Sequence, residues 1–188
     1  YVFNGTGTAP WRSESPTDPI NVYGASKLAG EQAIRSLGDH GVIARVSWLF
    51  GPGGPSFLHA MARLGAARRG TREPLRVVND QFGAPTSTLV LAPALLALAT
   101  SRASGVLHMA PDGVTSWYDF ALLIFEALGY TDIEVEPCSS DEFPRPAPRP
   151  RNSRLDTTTF KELRLLDMGN WTNGVRDFIL RHREELTS

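Results

Sequence analysis

The chain has 188 residues, of which 41% are hydrophobic and 21% charged, and its formal net charge at pH 7 is −1. This composition is typical of a globular protein with one substantial core. The near-neutral charge gives no electrostatic reason to expect binding to nucleic acid or to an anionic membrane. The longest apolar run, residues 89–99, is too short to cross a bilayer. We therefore expect no nucleic-acid partner and no membrane partner.

The single cysteine, Cys138, excludes a disulfide framework within the chain. A lone thiol fits a reducing compartment, and no signal peptide is recognisable, so we expect a cytoplasmic protein. The four histidines have no metal-ligand spacing, and the residues predict no metal site. Tyr1 opens an apolar segment where an initiator methionine would stand, which predicts that the chain is the later part of a longer protein.

The N-terminal third is predicted to contain a strand end, a helix and a second strand. Residues 1–3 are typical of a strand end, and a polar loop covers residues 4–19. From residue 21 to about residue 37, apolar or small residues recur at helical spacing, and we expect their stripe to face the core. That stripe consists of Val22, Leu28, Ala29, Ala33, Ile34 and Leu37. Residues 42–50 are largely apolar, which is typical of a buried parallel strand.

The rest of the chain continues the alternation of strands and helices. Helices are predicted over residues 55–69, 87–100, 116–128, 157–163 and 171–185, with Ser116 or Thr115 as the N-cap of the third. Strands are predicted over residues 75–78, 105–109 and 133–135. Four prolines exclude regular structure from residues 143–150. Because strands alternate with helices, the sequence predicts an α/β fold with a parallel sheet.

Tyr23 and Lys27 form a pair whose spacing suggests chemistry. Side chains four positions apart near a helix start lie on the same face. A free phenol, with a pKa of about 10, is a poor proton donor near neutral pH, and a nearby ammonium favours its ionised form. Such a tyrosine can give a proton to a carbonyl oxygen as hydride reaches the carbon, and the lysine can bind the ribose hydroxyls of a nicotinamide cofactor. The spacing alone is common, so its place between a polar loop and a βαβ pattern supports the hypothesis.

Trp48 ends a predicted strand just before the glycine-rich residues 51–54. In open α/β sheets, ligands bind outside the carboxyl ends of the strands, so Trp48 could stack on a base or a sugar ring. The alternative is that Trp48 packs in the core. Residues 51–54 lack the spacing of a phosphate-binding loop, and we interpret them as a tight turn.

Two further loops offer polar groups to a ligand. Residues 79–86 present Asp80, Gln81 and Thr86 on a backbone bent by glycine and proline, and an ordinary polar turn is the alternative. Residues 145–153 combine a stiff backbone with guanidinium groups, which suits the binding of a diphosphate. A solvated polyproline segment, or a ligand for a proline-reading domain, is the alternative there.

Six segments of the chain carry a resemblance to a known family. They are residues 1–5, 19–31, 45–51, 77–86, 115–121 and 149–156. Taken in order they resemble the dTDP-4-dehydrorhamnose reductase family, and the resemblance covers nearly the whole chain. The tyrosine-lysine pair is shared by the very large superfamily of extended short-chain dehydrogenases. The segments 80–86, 116–120 and 149–153 are much narrower signals.

The resemblance implies a Rossmann-like, doubly wound parallel sheet whose N-terminal strands precede this chain, with a small C-terminal substrate-binding α/β portion. Residues 1–188 would be the C-terminal part of one NAD(P)-binding reductase, with the substrate-binding portion mainly in residues 51–86 and 110–156. The implied reaction uses NADPH or NADH to reduce the 4-keto group of dTDP-4-dehydro-L-rhamnose, which gives dTDP-L-rhamnose. A homodimer and a bound Mg²⁺ are compatible with this picture, but the residues indicate neither.

The resemblance also assigns roles to individual residues. Tyr23 would be the proton donor and Lys27 its partner, and both would contact the cofactor. Trp48 and Tyr1 would line the cleft for the sugar nucleotide. The loop residues implied to surround that nucleotide are Asp80, Gln81, Thr86, Arg149, Asn152 and Ser153.

Departures from the family pattern leave other functions open. The glycine-rich turn that binds the cofactor pyrophosphate is not in this chain, nor is the Ser/Thr segment expected before Tyr1. Asn4 stands where the family more often has aspartate. We therefore expect that these 188 residues alone neither bind the cofactor well nor catalyse the reaction. The alternatives are a nucleotide-sugar epimerase or dehydratase of the same superfamily, and a non-catalytic subunit of the same fold, as in the regulatory subunit of methionine adenosyltransferase.

Overall fold

A computed structural model describes residues 1–36, 38 and 41–187 of the chain. The helices are α1 (Val22–Arg35), α2 (Phe57–Arg68), α3 (Thr88–Ala99), α4 (Trp117–Leu128), α5 (Thr158–Glu162), α6 (Trp171–Arg181) and α7 (Arg183–Thr187). The strands are β1 (Val42–Arg45), β2 (Leu49–Phe50), β3 (Leu75–Val78), β4 (Phe82–Gly83), β5 (Thr86–Ser87), β6 (Gly105–His108), β7 (Thr115–Ser116) and β8 (Val135–Cys138). The predicted end of α1 near residue 37 lies outside the described residues, as does His40.

The strands of the described residues form four pairs. Three pairs are parallel: β1 with β6, β2 with β5, and β3 with β8. The fourth pair, β4 with β7, is antiparallel and only two residues long, and it lies partly in the segment that the sequence predicts as a polar loop. The α/β class with parallel strands is confirmed, and the short antiparallel pair is an addition to it.

Polar side chains at the predicted positions begin the helices. Asn21 caps α1, since its Oδ1 accepts a hydrogen bond from the Gly24 backbone N–H at 2.7 Å. Ser116 caps α4 in the same way, with its Oγ accepting from the Asp119 N–H at 3.0 Å. Such caps each stabilise a helix by about 1 kcal/mol because they satisfy a backbone donor that has no partner inside the helix. The prediction of Ser116 as an N-cap is confirmed.

Two groups of buried apolar side chains form the core. The larger group lies between α2, α4 and α6 and includes Phe120 and Phe178, which are fully enclosed. The smaller group lies between α3 and β6 and includes Leu107 and Met109. Helix α3 is apolar on all sides, and Leu96 on its outer face is 68% exposed. None of the helices in the described part of the chain is both long and apolar enough to cross a membrane.

Four predicted elements differ from the structure, and one of them is the strand predicted over residues 133–135, which is found at Val135–Cys138. The strand predicted over residues 42–50 is two strands, because Trp48 adopts a left-handed backbone conformation with φ of 48° and interrupts it. Residues 1–3 form no regular strand, although Val2 and Phe3 are buried. The last helix, predicted over residues 171–185, is divided at His182, where ψ is 22° instead of a helical value.

The face that α1 turns to the protein also differs from the prediction. The apolar stripe was expected to face the core, but Val22 is 86% exposed and Ile34 is 39% exposed. The side chain of Glu31 is only 8% exposed instead. The reason is a specific charge partner on β1, which the periodicity of a single helix does not show.

That partner is Arg45, at the end of β1. Its Nε donates to Glu31 Oε1 at 2.8 Å and its Nη2 donates to Glu31 Oε2 at 2.7 Å, which is the bidentate geometry that a guanidinium favours. Nη1 of Arg45 donates to the Ser13 carbonyl at 3.2 Å, and the guanidinium carbon lies 5.0 Å from the centroid of the Phe3 ring. One buried side chain therefore connects α1, β1 and the N-terminal segment.

Removal of one partner of this pair should destabilise the fold strongly. We expect Glu31→Ala to lower the free energy of unfolding by about 3 to 5 kcal/mol, because it leaves the Arg45 charge buried without its partner. Asp177→Ala is the matched control: it breaks the exposed pair with Arg181 in α6 and should cost no more than about 1 kcal/mol. Urea unfolding of the two variants measures both values, and equal losses would contradict a special role for the buried pair.

Candidate active site

A cavity of about 270 Å³ lies where the N-terminal segment, the start of α1 and the residues after β1 meet. Five of the predicted site residues line it, namely Tyr1, Tyr23, Trp48, Asn152 and Ser153. The other lining residues are Phe3, Val46, Ser47, Trp117, Pro150 and Leu155. Ligand sites are commonly cavities that are mostly apolar and aromatic with a few polar groups, so this cavity is the candidate active site.

Tyr23 and Lys27 lie together on the first turns of α1. The Lys27 ammonium nitrogen is 5.1 Å from the centroid of the Tyr23 ring. The Tyr23 ring meets the Tyr1 ring edge to face, with 5.7 Å between centroids. Gly24 makes this approach feasible, because a Cβ at that position would stand 2.2 Å from the Tyr1 carbonyl oxygen. The start of α1 therefore brings a phenol, an ammonium and a second phenol to one place.

The surroundings of Tyr1 keep its phenol neutral. Burial raises the pKa of the Tyr1 hydroxyl above its ordinary value, the Arg149 guanidinium acts in the opposite direction, and Tyr23 adds to the increase. Tyr1 thus lines the cavity as a neutral hydrogen-bonding group. Arg149 itself lies outside the cavity lining.

Trp48 forms a second aromatic pair in the cavity lining, with Trp117. The two indole rings are stacked, with 3.6 Å between centroids and 11° between planes. The backbone of Gly83 lies against the Trp48 indole, since a Cβ at position 83 would stand 2.6 Å from Trp48 Cε2. Trp48 is therefore held closely by its neighbours and still lines the cavity.

Asn152 and Ser153 line the cavity from the segment after the prolines. The Asn152 side chain is 3% exposed, and its Nδ2 donates to the Ala9 carbonyl at 2.8 Å. Its Oδ1 accepts from the Arg154 backbone N–H at 3.1 Å. The Asn152 amide thus fixes its own segment against the N-terminal loop. Ser153 presents a hydroxyl in the lining.

The other four predicted loop residues lie outside the cavity lining, namely Arg149 and the three from the segment 79–86. Asp80 accepts a hydrogen bond from the Ser140 hydroxyl at 2.6 Å. Gln81 is 6% exposed, and Thr86 is fully buried with its hydroxyl donating to the Ala84 carbonyl at 3.2 Å. Asp80, Gln81 and Thr86 thus contact other parts of the protein and do not line the cavity. Their direct contact with a substrate stays a prediction.

Trp117 is the main lining residue that the sequence reasoning did not assign to the site. It follows directly on the N-cap Ser116, and there it was interpreted only as the start of a helix. Its signal was its place in a narrow family segment, residues 116–120, but no feature of the sequence shows that it meets Trp48. Phe3 and Ser47 were missed because each reads as an ordinary strand residue.

Among the described residues, no group of three or more His, Cys, Asp and Glu side chains could hold a metal ion. The buried thiol of Cys138 lies at the end of β8, outside the cavity lining. The polar and aromatic groups in the cavity lining belong to tyrosine, serine, asparagine and tryptophan side chains.

The fold and this cavity are those of an α/β protein with a candidate ligand cavity among the described residues, and comparison with known proteins shows the family. Residues 1–184 match the family model described as RmlD substrate binding domain, and the chain belongs to that family. It is similar to a dTDP-4-dehydrorhamnose reductase of Salmonella typhimurium, with 38% identity over 94% of this chain and 61% of the relative. The chain thus spans about 61% of the length of that curated relative.

Solved structures show the same likeness. A dTDP-4-dehydrorhamnose reductase of Clostridium acetobutylicum superimposes with a TM-score of 0.89 and 36% identity, over 97% of this chain and 63% of that one. The Bacillus anthracis enzyme, solved in complex with NADP, superimposes with a TM-score of 0.86 and 35% identity, over 96% and 62% of the two chains. The resemblance of the six segments to this family is confirmed.

His108 lies next to Arg45, and its titration makes the stability of the fold depend on pH. Its ring is 1% exposed, and its Nε2 is 3.3 Å from Arg45 Nη1. Burial, together with the charge of Arg45, lowers the pKa of His108 from 6.5 to about 4, although Asp156 and backbone groups act in the opposite direction. Between these two values the unfolded chain binds a proton that the folded chain does not, so stability falls as the pH falls.

We expect the protein to lose about 2 kcal/mol of stability between pH 7 and pH 5 through His108 alone. His108→Gln should have a correspondingly shallower pH dependence, because it removes the titrating group. Urea unfolding at both pH values measures the two slopes. The control is His182→Gln, a histidine in the break between α6 and α7 that lies farther from Arg45 along the chain. Equal slopes in the wild type and in His108→Gln would contradict this prediction.

Gly83→Ala tests the close contact with Trp48. The new methyl group would overlap the indole, and overpacking of this kind typically costs about 1 to 3 kcal/mol. We expect a lower Tm and a change in tryptophan fluorescence. Gly54→Ala is the matched control, because a Cβ at position 54 meets no atom within 4 Å. A Gly83→Ala protein with the Tm and the emission spectrum of the control would show that the contact is looser than the structure indicates.

Proposed function

We propose that the protein containing this chain is an NAD(P)H-dependent oxidoreductase that reduces the 4-keto group of dTDP-4-dehydro-L-rhamnose to give dTDP-L-rhamnose. The observation that carries this proposal is the placement of Tyr23, with Lys27 beside it, at a cavity of about 270 Å³ lined by aromatic side chains. Membership of the family and the names of the relatives support it. The Salmonella typhimurium relative and the Bacillus anthracis structure are both named dTDP-4-dehydrorhamnose reductase, and the second was solved in complex with NADP.

Tyr23 is the proton donor in the proposed reaction. Tyr23 lines the cavity and is 59% exposed, so a substrate carbonyl can approach it. The Lys27 ammonium nitrogen lies 5.1 Å from the centroid of the Tyr23 ring, so a cation stands beside the group that would give its proton to the carbonyl oxygen. Because both residues lie on α1, the helix sets the distance between them.

The residues at this end of the cavity fit a nicotinamide cofactor, since a phenol and an ammonium lie side by side next to aromatic walls. A nicotinamide cofactor, when bound, would supply the hydride to the carbon of the carbonyl. Lys27 would hold its ribose hydroxyls, and Tyr23 would orient the carbonyl oxygen by hydrogen bonding and then give it a proton.

The remaining lining groups are proposed to hold the sugar nucleotide. Trp48 offers the face of an indole to the sugar ring, and Ser153 offers a hydroxyl. Arg149 would bind the diphosphate, because a guanidinium matches phosphate oxygens with a bidentate pair of hydrogen bonds. Arg151 lies 3.3 Å from Asp141 and 3.7 Å from Asp80, so its charge is already partnered.

Further features of the function are proposals of the same kind. The substrate-binding portion would lie mainly in residues 51–86 and 110–156, of which the second range supplies Trp117 and lining residues between 150 and 155 to the cavity. Asp80, Gln81, Thr86 and Asn152 would support the cavity wall. The free thiol of Cys138 is consistent with action in the cytoplasm, as a monomer or a homodimer.

Tyr23→Phe should remove the proton donor and leave the cavity intact. In the protein expressed from its natural gene, we expect kcat for dTDP-4-dehydro-L-rhamnose to fall about 10²- to 10⁴-fold, with KM changed only a few-fold. The measurement is the loss of NADPH absorbance with this substrate. Tyr118→Phe is the control, because this half-buried tyrosine in α4 lies outside the cavity lining and should keep nearly full activity.

Each other function gives a different result in the same assay. Full activity of Tyr23→Phe would contradict the assigned role of Tyr23. Conversion of the sugar without net consumption of NADPH would indicate an epimerase or dehydratase. Binding of the dTDP-sugar without any turnover by the wild-type protein would indicate a non-catalytic subunit.

A further inference from the structure

Trp48 has a backbone conformation that a bulky residue rarely adopts. Its φ is 48°, and Arg164 is the only other described residue besides glycines with a positive φ. A conformation of this kind is unfavourable for a side chain with a Cβ and persists only where the surroundings enforce it. Because Trp48 also lines the cavity, whatever enforces its conformation also sets how the indole faces a ligand.

The groups that hold Trp48 are the Trp117 indole and the Gly83 backbone. Trp117 stacks on Trp48 with 3.6 Å between ring centroids, which fixes the plane of the Trp48 ring relative to its own. Stacking alone leaves a ring free to rotate within its plane and to slide over its partner. The orientation of Trp48 is therefore only as well defined as that of Trp117.

A chain of hydrogen bonds fixes Trp117. Its indole Nε1–H donates to Gln81 Oε1 at 3.1 Å, and Gln81 Nε2 donates to Ser140 Oγ at 2.9 Å. The Ser140 hydroxyl then donates to Asp80 Oδ1 at 2.6 Å, and the Ser140 backbone N–H donates to the same carboxylate at 3.0 Å. A flipped Gln81 amide would turn its NH₂ group towards the indole N–H, so the chain runs in one direction only, from Trp117 to Asp80.

Gln81 is the link that only a primary amide can supply. It accepts from an indole N–H with one end and donates to a serine hydroxyl with the other, in a position that is 6% exposed and outside the cavity lining. Methionine has a similar length but cannot accept or donate in this way. Glutamate would place a second carboxylate close to Asp80.

We infer that Gln81 is a positioning residue of the active site. It sets the orientation of Trp117, and the stacked Trp117 sets the face that Trp48 presents to the sugar nucleotide. The inference rests on the proposed function for its ligand, but the orientation of the two indoles can be tested without any ligand. It also gives the segment 79–86 a role in which Asp80 and Gln81 act on the substrate through the two tryptophans.

The kinetic test uses the protein expressed from its natural gene, with dTDP-4-dehydro-L-rhamnose and NADPH. Gln81→Met should raise KM for the sugar about tenfold, which is the scale on which loss of one buried hydrogen-bond partner acts, and should change kcat less than about threefold. Ser140→Ala, which cuts the next link and is less buried, should raise KM about threefold, and it replaces Gln81→Met if that variant does not fold. Trp171→Phe, at a tryptophan outside this cavity, is the control and should leave KM unchanged.

A double-mutant cycle shows whether Gln81 acts through Trp117. Trp117→Phe keeps an aromatic ring and removes the N–H, so Gln81→Met should have no further effect on KM in that background. A full tenfold effect of Gln81→Met in the Trp117→Phe background would overturn the inference. An unchanged KM in folded Gln81→Met would overturn it as well.

The spectroscopic test needs no substrate. Two stacked indoles couple their transitions, and the resulting circular dichroism signal depends on their mutual orientation. We expect that signal to be lost in Trp117→Phe, reduced in Gln81→Met, and kept in Trp171→Phe. If the wild-type protein does not convert the substrate, the proposed function fails, and the circular dichroism signal alone tests the inference about Gln81. An unchanged signal in Gln81→Met would then overturn the inference.

Discussion

The buried ion pair between Arg45 and Glu31 is the interaction on which the arrangement of the site depends. Both side chains are less than a tenth exposed, and their two hydrogen bonds are 2.7 and 2.8 Å long. Two charges taken out of water are costly unless geometry and further partners compensate, and the Ser13 carbonyl and the Phe3 ring supply such partners. The pair fixes which face of α1 meets the rest of the protein.

The consequence for the site follows from helical geometry. Tyr23, Lys27 and Glu31 are four residues apart, so they share one face of α1, and Glu31 is the one that is anchored. The other end of the helix is held where Asn21 caps it and donates to the Pro148 carbonyl at 2.9 Å. A helix held at both ends keeps Tyr23 in place while its side chain remains largely exposed.

Local signals in the sequence predict local structure well, and the failures have physical causes. The N-cap Ser116, the strand over residues 75–78 and the irregular segment over residues 143–150 depend on neighbouring residues, and the structure has them as predicted. The prediction of which face of α1 turns inward was wrong, because that face depends on Arg45, which is fourteen positions from Glu31. The break at Trp48 was missed because nothing in the local sequence marks a tryptophan for a left-handed conformation; Trp117 and Gly83, which hold it there, are distant in the chain.

The candidate site shows the same division. Tyr23 and Lys27 are predictable as a pair because a single helix turn brings them together. The polar residues of the segment 79–86 look like ligand contacts in the sequence because hydrogen-bonding side chains in a loop could serve either a ligand or the protein. The structure places Asp80 and Gln81 in hydrogen bonds with Ser140 and Trp117, as buried polar groups require. The sequence thus indicates which segments surround the cavity, whereas burial decides which side chains line it and which ones hold the lining in place.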